Sequence, residues 1–488
     1  MIYLDNAATT PMSAVAISEM TRVMQETHGN PSSIHSHGRQ AGKLLREARQ
    51  ELAQLLGTKS QHIFFTSGGT ESNNTAIIGY CLRHQNRGKH IITTAIEHHS
   101  VLETIDYLVQ HFGFEATIIQ PVNQEITPQQ IQEALRDDTI LVSTMYANNE
   151  TGSLLPIAEI GRVLKEHPAA YHVDAVQAIG KVPIHPEELG IDFLSASAHK
   201  FHGPKGIGFL YASSADFDSY LHGGDQEQKK RAGTENLAAI VGMVAALKED
   251  LEQQAEHYQK LEGLKSAFLD EIADLEYYLN ESQYQLPYVV NIGFPGQKND
   301  LLLLRLDLEG ISISTGSACT AGVVQTSHVL KAFYGPDSHR LKESVRISLS
   351  PLNTEEELKQ LAQTLKILLE INLMAFEKTI KLQNCRYDYT LSPTVKKFTL
   401  KDNTFFETKV GNFELTRLLE KVPNSGEGFN LKIIINKDLT GAKLNITDKS
   451  GLRLVNIFKS EDHHIHQEKF YFLMDSLVER GIFTKEER

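Results

Sequence analysis

The sequence predicts an α/β protein: a large, mostly parallel sheet domain, a smaller α/β part and a separate α+β tail. Three observations carry this expectation. From about residue 60 to 240, short apolar runs alternate with helical patterns, as in a parallel sheet covered on both faces. The 488 residues exceed one simple core, so two or three domains are expected. From about residue 374 the texture changes to fewer alanines, more Phe and Lys and strand-like alternation.

Taken in order, Met1–Asp5 reads as a strand entering the fold, without a signal-peptide pattern. Candidate strands follow at 63–66, 90–94, 139–143, 170–173, 192–195 and 208–211. A helix is expected after Ser100, which with Glu103 forms a capping-box pattern. Val101, Leu102, Ile105, Leu108, Val109 and Phe112 then fall at helical spacing, and Gly113 ends the run. A long helical region over about 238–272 leads out of this domain. A second α/β segment includes 288–293, 301–305 and 345–349, and Thr354 with Glu357 opens a capped helix to about Ile371. In the tail, 429–435 and 443–446 flank Leu439–Ala442 as a hairpin, and a helix closes the pattern around 468–480. At about 110 residues the tail is long enough to fold alone.

The bulk numbers restrict function. With 41% hydrophobic and 22% charged residues the composition is that of a soluble globular protein. No apolar run approaches the ~20 residues that span a bilayer, so a cytoplasmic protein with no membrane partner is expected. The net charge of −13 is uneven: residues 374–488 hold 19 Lys+Arg against 16 Asp+Glu, leaving the rest at −16. Acidic charge over the larger part argues against direct nucleic-acid binding. Cys81, Cys319 and Cys385 are sparse, odd in number and without Cys-x-x-Cys spacing, which argues against both a disulfide framework and a structural zinc site, and no metal is expected. Cys81 follows a helical run and reads as a buried hydrophobe. Cys319 lies among Gly, Ser, Ala and Thr, where no core face is visible, and reads as exposed.

The chemistry lies in the loops after the strands, where α/β sheets collect ligands. Gly68 and Gly69 follow a strand and precede a helix, so backbone N–H groups can meet a phosphate there, although most Gly-Gly turns only start helices. Asp174 ends another strand and precedes Lys200 by 26 residues. In pyridoxal-phosphate (PLP) enzymes an aspartate keeps the ring nitrogen protonated while a lysine holds the aldehyde. A lone lysine is ordinarily a surface residue, but Ser197, His199 and Gly203–Gly206 surround this one. His98, in Glu97–His99, could stack on such a ring and shuttle protons, or be a satisfied polar residue. Asn149 also follows a strand, within reach of a ring oxygen. A Schiff-base lysine and a thiol among small residues together fit removal of sulfur from an amino acid.

Ten ordered stretches carry a resemblance: Tyr3–Thr10, Gly29–Ser33, Thr66–Asn73, Glu97–His98, Asn148–Glu150, His172–Gln177, Ser197–Gly208, Arg231–Thr234, Gly316–Thr320 and Ser344–Ser348. Through them, residues 1–371 resemble a NifS/IscS-like cysteine desulfurase of the class V aminotransferase family, a fold-type I PLP enzyme with a seven-stranded sheet. The resemblance implies a large PLP-binding domain at about 15–255. It implies a small domain from about 1–14 and 256–371, with a Cys loop at 315–327. Lys200 then carries PLP, Asp174 pairs with the ring nitrogen, and Gln177 and Asn149 contact the ring oxygen. Gly69, Thr70, Ser197 and His199 hold the phosphate, joined by Thr234 from the second subunit of a homodimer. His98 stacks on the ring as acid/base, Arg346 with Asn30 binds the substrate carboxylate, and Cys319 takes sulfur from L-cysteine, leaving L-alanine and a persulfide.

Sulfur would pass to acceptor proteins for iron–sulfur cluster assembly, tRNA thiolation or both. The alternative within this fold is a selenocysteine lyase or another β-elimination enzyme; Cys319 favours desulfuration. The long Cys loop resembles the NifS/IscS-like branch, but Ala321–Thr326 departs from the commoner Ser/Leu-Glu-Pro wording, which leaves the acceptor open. Residues 374–488 resemble the DUF1831 domain, of unknown role, for which an adaptor for a sulfur acceptor is the favoured reading. His463, His464 and His466 read as a solvated cluster rather than a metal site, and Cys385 as a buried thiol rather than a sulfur acceptor.

Overall fold

The computed structural model describes the backbone of residues 1–488 except 317–318, 321–322, 325, 374–375, 409–410, 423–425 and 450–453. It also leaves aside the side chains of 319–320, 323–324, 370–373 and 461. Two compact units emerge, Met1–Ala362 and Gln363–Arg488.

The first unit is built on seven strands: β1 (Ile63–Thr66), β2 (His90–Thr94), β3 (Glu115–Ile119), β4 (Thr139–Met145), β5 (Ala170–Asp174), β6 (Phe193–Ser197) and β7 (Gly208–Ala212). Their order is β1-β7-β6-β5-β4-β2-β3. β2 to β6 pair in parallel, and β7 runs antiparallel to both β6 and β1. Every residue of β4 and β5 is buried. That is why they read as continuous apolar runs rather than alternating ones. β3 is the strand the sequence pattern misses, because it lies at the edge and exposes much of its mixed Glu-to-Ile sequence.

The helix after β2 spans His99–Phe112 and ends at Gly113 in the left-handed region, φ 68°. Its cap differs from expectation: His98, not Ser100, is the capping residue, its Nδ1 accepting from the Ser100 N–H at 3.1 Å. The region expected as one helix is two, Leu237–Glu252 and Gln254–Glu271. Beyond them, Tyr278–Leu279, Val289–Gly293 and Ser344–Ser348 form an antiparallel sheet. Ile2–Tyr3 pairs in parallel with Ile311–Ser312, which brings the chain start beside this sheet. Residues 301–305 lie within the helix Asn299–Leu308. The Thr354–Glu357 cap forms, with Thr354 N–H donating to Glu357 Oε2 at 3.1 Å, and its helix runs Glu355–Leu373.

The second unit has a four-stranded antiparallel sheet, Phe406–Glu407, Phe413–Glu420, Gly428–Ile435 and Ala442–Thr447, in that order. A three-stranded sheet joins Thr379–Ile380, Tyr387–Leu391 and Phe483–Glu487. The helix His464–Glu479 begins earlier than its apolar pattern predicts and buries Phe470, Met474 and Leu477 in one core with Tyr389, Phe413 and Ile433. His466 corrects the expectation of a solvated cluster: it is buried and its ring packs on Phe429 at 4.8 Å. Cys385 is buried, with Sγ 3.8 Å from Tyr471 Oη.

Candidate active site

The parallel strands and β1 point their carboxyl ends to one edge, and the loops leaving that edge line a cavity of about 480 Å³. The loop after β1 supplies Gly69 and Thr70, that after β2 supplies His98, and that after β4 supplies Asn149. β5 ends at Asp174 and leads to Gln177, while β6 ends at Ser197 and leads to His199 and Lys200. Arg346, from the strand Ser344–Ser348, completes the lining. Two expected residues stand elsewhere: Asn30 and Thr234 are exposed and line no part of this cavity within one chain. Asn30 Oδ1 instead accepts from the Ser32 N–H at 2.9 Å. The Cys319 side chain and part of the 315–327 loop lie outside the described residues; backbone pairing joins Cys319–Thr320 to Val323–Val324.

Gly68 and Gly69 are required by space. Gly68 sits at φ +150°, and a Cβ on Gly69 would meet Val176 Cγ2 at 2.6 Å. The turn thus opens the uncapped N-terminus of the 16-residue helix Gly69–His84, with its free N–H groups, to an anion. Asp174 is 5% exposed and accepts from Asn73 Nδ2 at 2.8 Å and the Val176 N–H at 3.1 Å. No cationic side chain among the described residues pairs with it, so a buried carboxylate faces the cavity with room for a cationic partner.

Asn73 Nδ2 also donates to Ser100 Oγ at 2.9 Å, and Ser100 Oγ lies 2.8 Å from His98 Nδ1. This chain ties the Asp174 carboxylate to the His98 ring, and the sequence reading missed it. Asn73 lies in the quoted Thr66–Asn73 stretch, but only the fold shows which way it reaches. Because the Ser100 N–H donates to Nδ1, the neutral His98 ring holds its proton on Nε2. Desolvation lowers the His98 pKa, which favours that neutral form.

Lys200 Nζ donates to the Ala7 and Ala8 carbonyls at 2.6 and 2.7 Å. Burial, followed by the Arg346 and Lys181 charges, pushes its amine down to about 7. A fraction of the amine is then unprotonated and nucleophilic near neutral pH. Burial likewise holds His199 at about 4, with Nδ1 3.2 Å from Thr9 Oγ1. Arg346 is 3% exposed, bound by Nη2 to Asp5 Oδ1 at 2.6 Å and by Nη1 to the Asn149 carbonyl at 2.8 Å. Its Nε has no partner. Glu97 and Glu150 are buried carboxyls that the sequence reading left without a role. Burial raises both, Glu97 to about 8, so Glu97 is largely neutral at pH 7. Glu150 Oε2 accepts from Ser327 Oγ.

An anion seat at a helix N-terminus, an unpaired buried carboxylate and a lysine with a depressed pKa, all lining one cavity, fit the phosphate, ring nitrogen and aldehyde of PLP. With the seven-stranded sheet, they define a fold-type I PLP enzyme.

The comparisons with known proteins agree. Residues 2–361 match the family described as Aminotransferase class-V, and residues 374–484 match DUF1831, a family with a provisional assignment to amino acid metabolism. The chain is 48% identical over 367 residues to a Bacillus subtilis (strain 168) protein provisionally named cysteine desulfurase IscS 1, covering 74% of this chain and 97% of that protein. It is 43% identical over 375 residues to the cysteine desulfurase IscS of Dictyoglomus turgidum (strain DSM 6724 / Z-1310), covering 76% and 94%. A solved structure titled NifS-like protein aligns with TM-score 0.71 and 35% identity, covering 76% of this chain and 99% of that one. The chain therefore belongs to the class V aminotransferase family, among its PLP-dependent cysteine desulfurases. No helix among the described residues is long and apolar enough to cross a membrane.

Proposed function

We propose that the first unit converts L-cysteine to L-alanine and leaves the sulfur as a persulfide on Cys319. The single observation that carries this reading is the cavity in which Lys200, Asp174, His98 and Arg346 converge with Gly69 and Thr70. Lys200 would hold the PLP aldehyde and Asp174 the ring nitrogen. Gln177 and Asn149 would hold the ring oxygen, and Gly69, Thr70, Ser197 and His199 the phosphate. Bound there, PLP supplies an electron sink that stabilises carbanionic character in the substrate and so weakens its Cβ–S bond.

The chain's own residues do the rest. Arg346, fixed by Asp5 and Asn149, receives the substrate carboxylate. His98 holds a proton on Nε2 toward the cavity, positioned by Ser100. Cys319 forms the new S–S bond as the substrate's Cβ–S bond breaks. Of the two thiol hydrogens involved, one stays on the persulfide and the other ends on the alanine methyl group.

Thr234 and Asn30 have no place in the cavity of a single chain, which supports a homodimer in which the second subunit completes the site. Thr234 would then join the phosphate seat. Acceptor proteins of iron–sulfur cluster assembly or tRNA thiolation would take the sulfur, and the second unit would serve as an adaptor for one of them. Alanine formation from L-cysteine, measured with the PLP absorbance in wild type and Lys200→Ala, tests the core of this reading. The lysine-linked absorbance should disappear in the variant and alanine formation should fall on the order of 10³-fold or more; alanine formation near the wild-type rate in Lys200→Ala would overturn it.

A further inference from the structure

A second cavity of about 30 Å³ also touches Lys200, and it is lined by Lys181, Asp250, Gln254, Tyr288 and Asn6. Its volume admits one or two waters, and the polar groups of Asn6, Lys181, Asp250 and Gln254 interrupt an otherwise largely apolar wall. Asn6 Oδ1 and Gln254 Nε2 are buried with no protein partner. Lys181 Nζ donates to the backbone carbonyl of Lys200 at 2.8 Å. The same ammonium lies 4.9 Å from the ring centroid of Tyr288, whose hydroxyl donates to Gln177 Oε1. Gln177 Nε2 and Lys200 Nζ both donate to the Ala7 carbonyl. Lys181 thus touches the backbone of one residue that faces the main cavity and the ring that fixes another.

Asp250 supplies the opposing charge. It is 8% exposed, and its Oδ1 lies 3.8 Å from His257 Nδ1. Lys181 and Asp250 make no direct ion pair, so the small cavity they share is where water would join them. Burial lowers Lys181 and raises Asp250, and each group's charge works against the shift of the other.

We infer that Lys181 is a positioning residue for the cofactor lysine: its ammonium, countered by Asp250 across a small cavity, holds the Lys200 backbone carbonyl and puts a positive charge near the Lys200 amine. The inference rests on the PLP-binding reading above. The charged and titratable groups that bear on Lys200 are Arg346, Lys181, Asp5 and Asp174, with His199 adjacent in the chain. Those around Lys181 and Asp250 further include His202, His257 and Glu249.

The test is a pH titration of the lysine-bound cofactor absorbance in the holoenzyme, with thermal stability recorded alongside. Wild type is compared with Lys181→Met, Lys181→Arg, Lys181→Met/Asp250→Asn and Lys200→Ala. Without the cation, the lysine-linked nitrogen keeps its proton to higher pH, and the midpoint rises by about one unit, tenfold in proton affinity. Lys181→Arg returns most of the way to the wild-type midpoint. The double variant regains stability, because it removes an unpaired buried carboxyl, yet keeps the raised midpoint. A fully loaded Lys181→Met enzyme with the wild-type midpoint overturns the inference. So does a double variant that regains both stability and midpoint, since the role is then only structural. A wild type with no absorbance band that Lys200→Ala removes overturns the PLP reading, and this inference with it.

Discussion

Residues 1–362 bury Asp174, Glu150 and Arg346 around one cavity, whereas the core of residues 363–488 is built from side chains such as Tyr389, Phe413, Ile433 and Phe470. Among the described residues of the second unit no Asp, Glu, Lys or Arg is buried; its buried polar groups are uncharged or imidazole ones such as Ser392, His466 and the Tyr389 hydroxyl. Burying a charge is costly unless something nearby repays it. In the first unit the cost recurs at strand ends that open on one cavity, which is the signature of a site. The core of the second unit carries no such signature among its described residues.

The comparison can be broken most directly at Lys200. Lys200→Ala should lower L-cysteine turnover on the order of 10³-fold or more, read as alanine released. His98→Gln should cost about 10²- to 10⁴-fold in the same assay while the cofactor stays bound. In the second unit, Phe470→Ala should destabilise the tail by about 3–5 kcal/mol, seen in denaturant unfolding. Turnover per bound cofactor should be unchanged by it; a matching loss of turnover would mean the units share more than a chain.

Glu97 sharpens the contrast at the level of stability. Its folded pKa is raised by burial to about 8, above the ordinary carboxyl value of the unfolded chain. The folded state therefore holds a proton that the unfolded state releases. The stability present below the unfolded pKa is lost as pH rises through the window up to about 8. Melting temperatures of Glu97→Gln against wild type from pH 5 to 8 should show the variant flatter, and parallel curves would contradict the assignment. The smallest effect is expected at Cys385: Cys385→Ser should cost about 1–2 kcal/mol and leave sulfide release unchanged. A fall in sulfide release would make Cys385 a sulfur acceptor after all.

The same contrast governs what the sequence revealed. Buried parallel strands such as 139–145 and 170–174 announce themselves as apolar runs, and the chemistry sits at or just beyond strand ends, at Gly69, Asp174 and Lys200. Strand Glu115–Ile119 escaped because an edge strand half in water carries no clean pattern. The Ser100 cap was misplaced because the His98 imidazole can accept the same backbone proton, and local spacing cannot rank the two. Asn73 and Lys181 act through partners 101 and 19 residues away, a relation that only folding creates. His466 read as solvated because its contact with Phe429 joins a helix to a distant strand.

Cys319 as the sulfur carrier is the point that an assay can reach most directly. Alanine and sulfide release from L-cysteine with a thiol reductant should be measured in the full-length wild type and in Cys319→Ala, with PLP absorbance recorded in both. The variant should keep its cofactor and lose sulfide release. A variant as active as the wild type would contradict it and would favour a β-elimination enzyme that works without a carrier thiol.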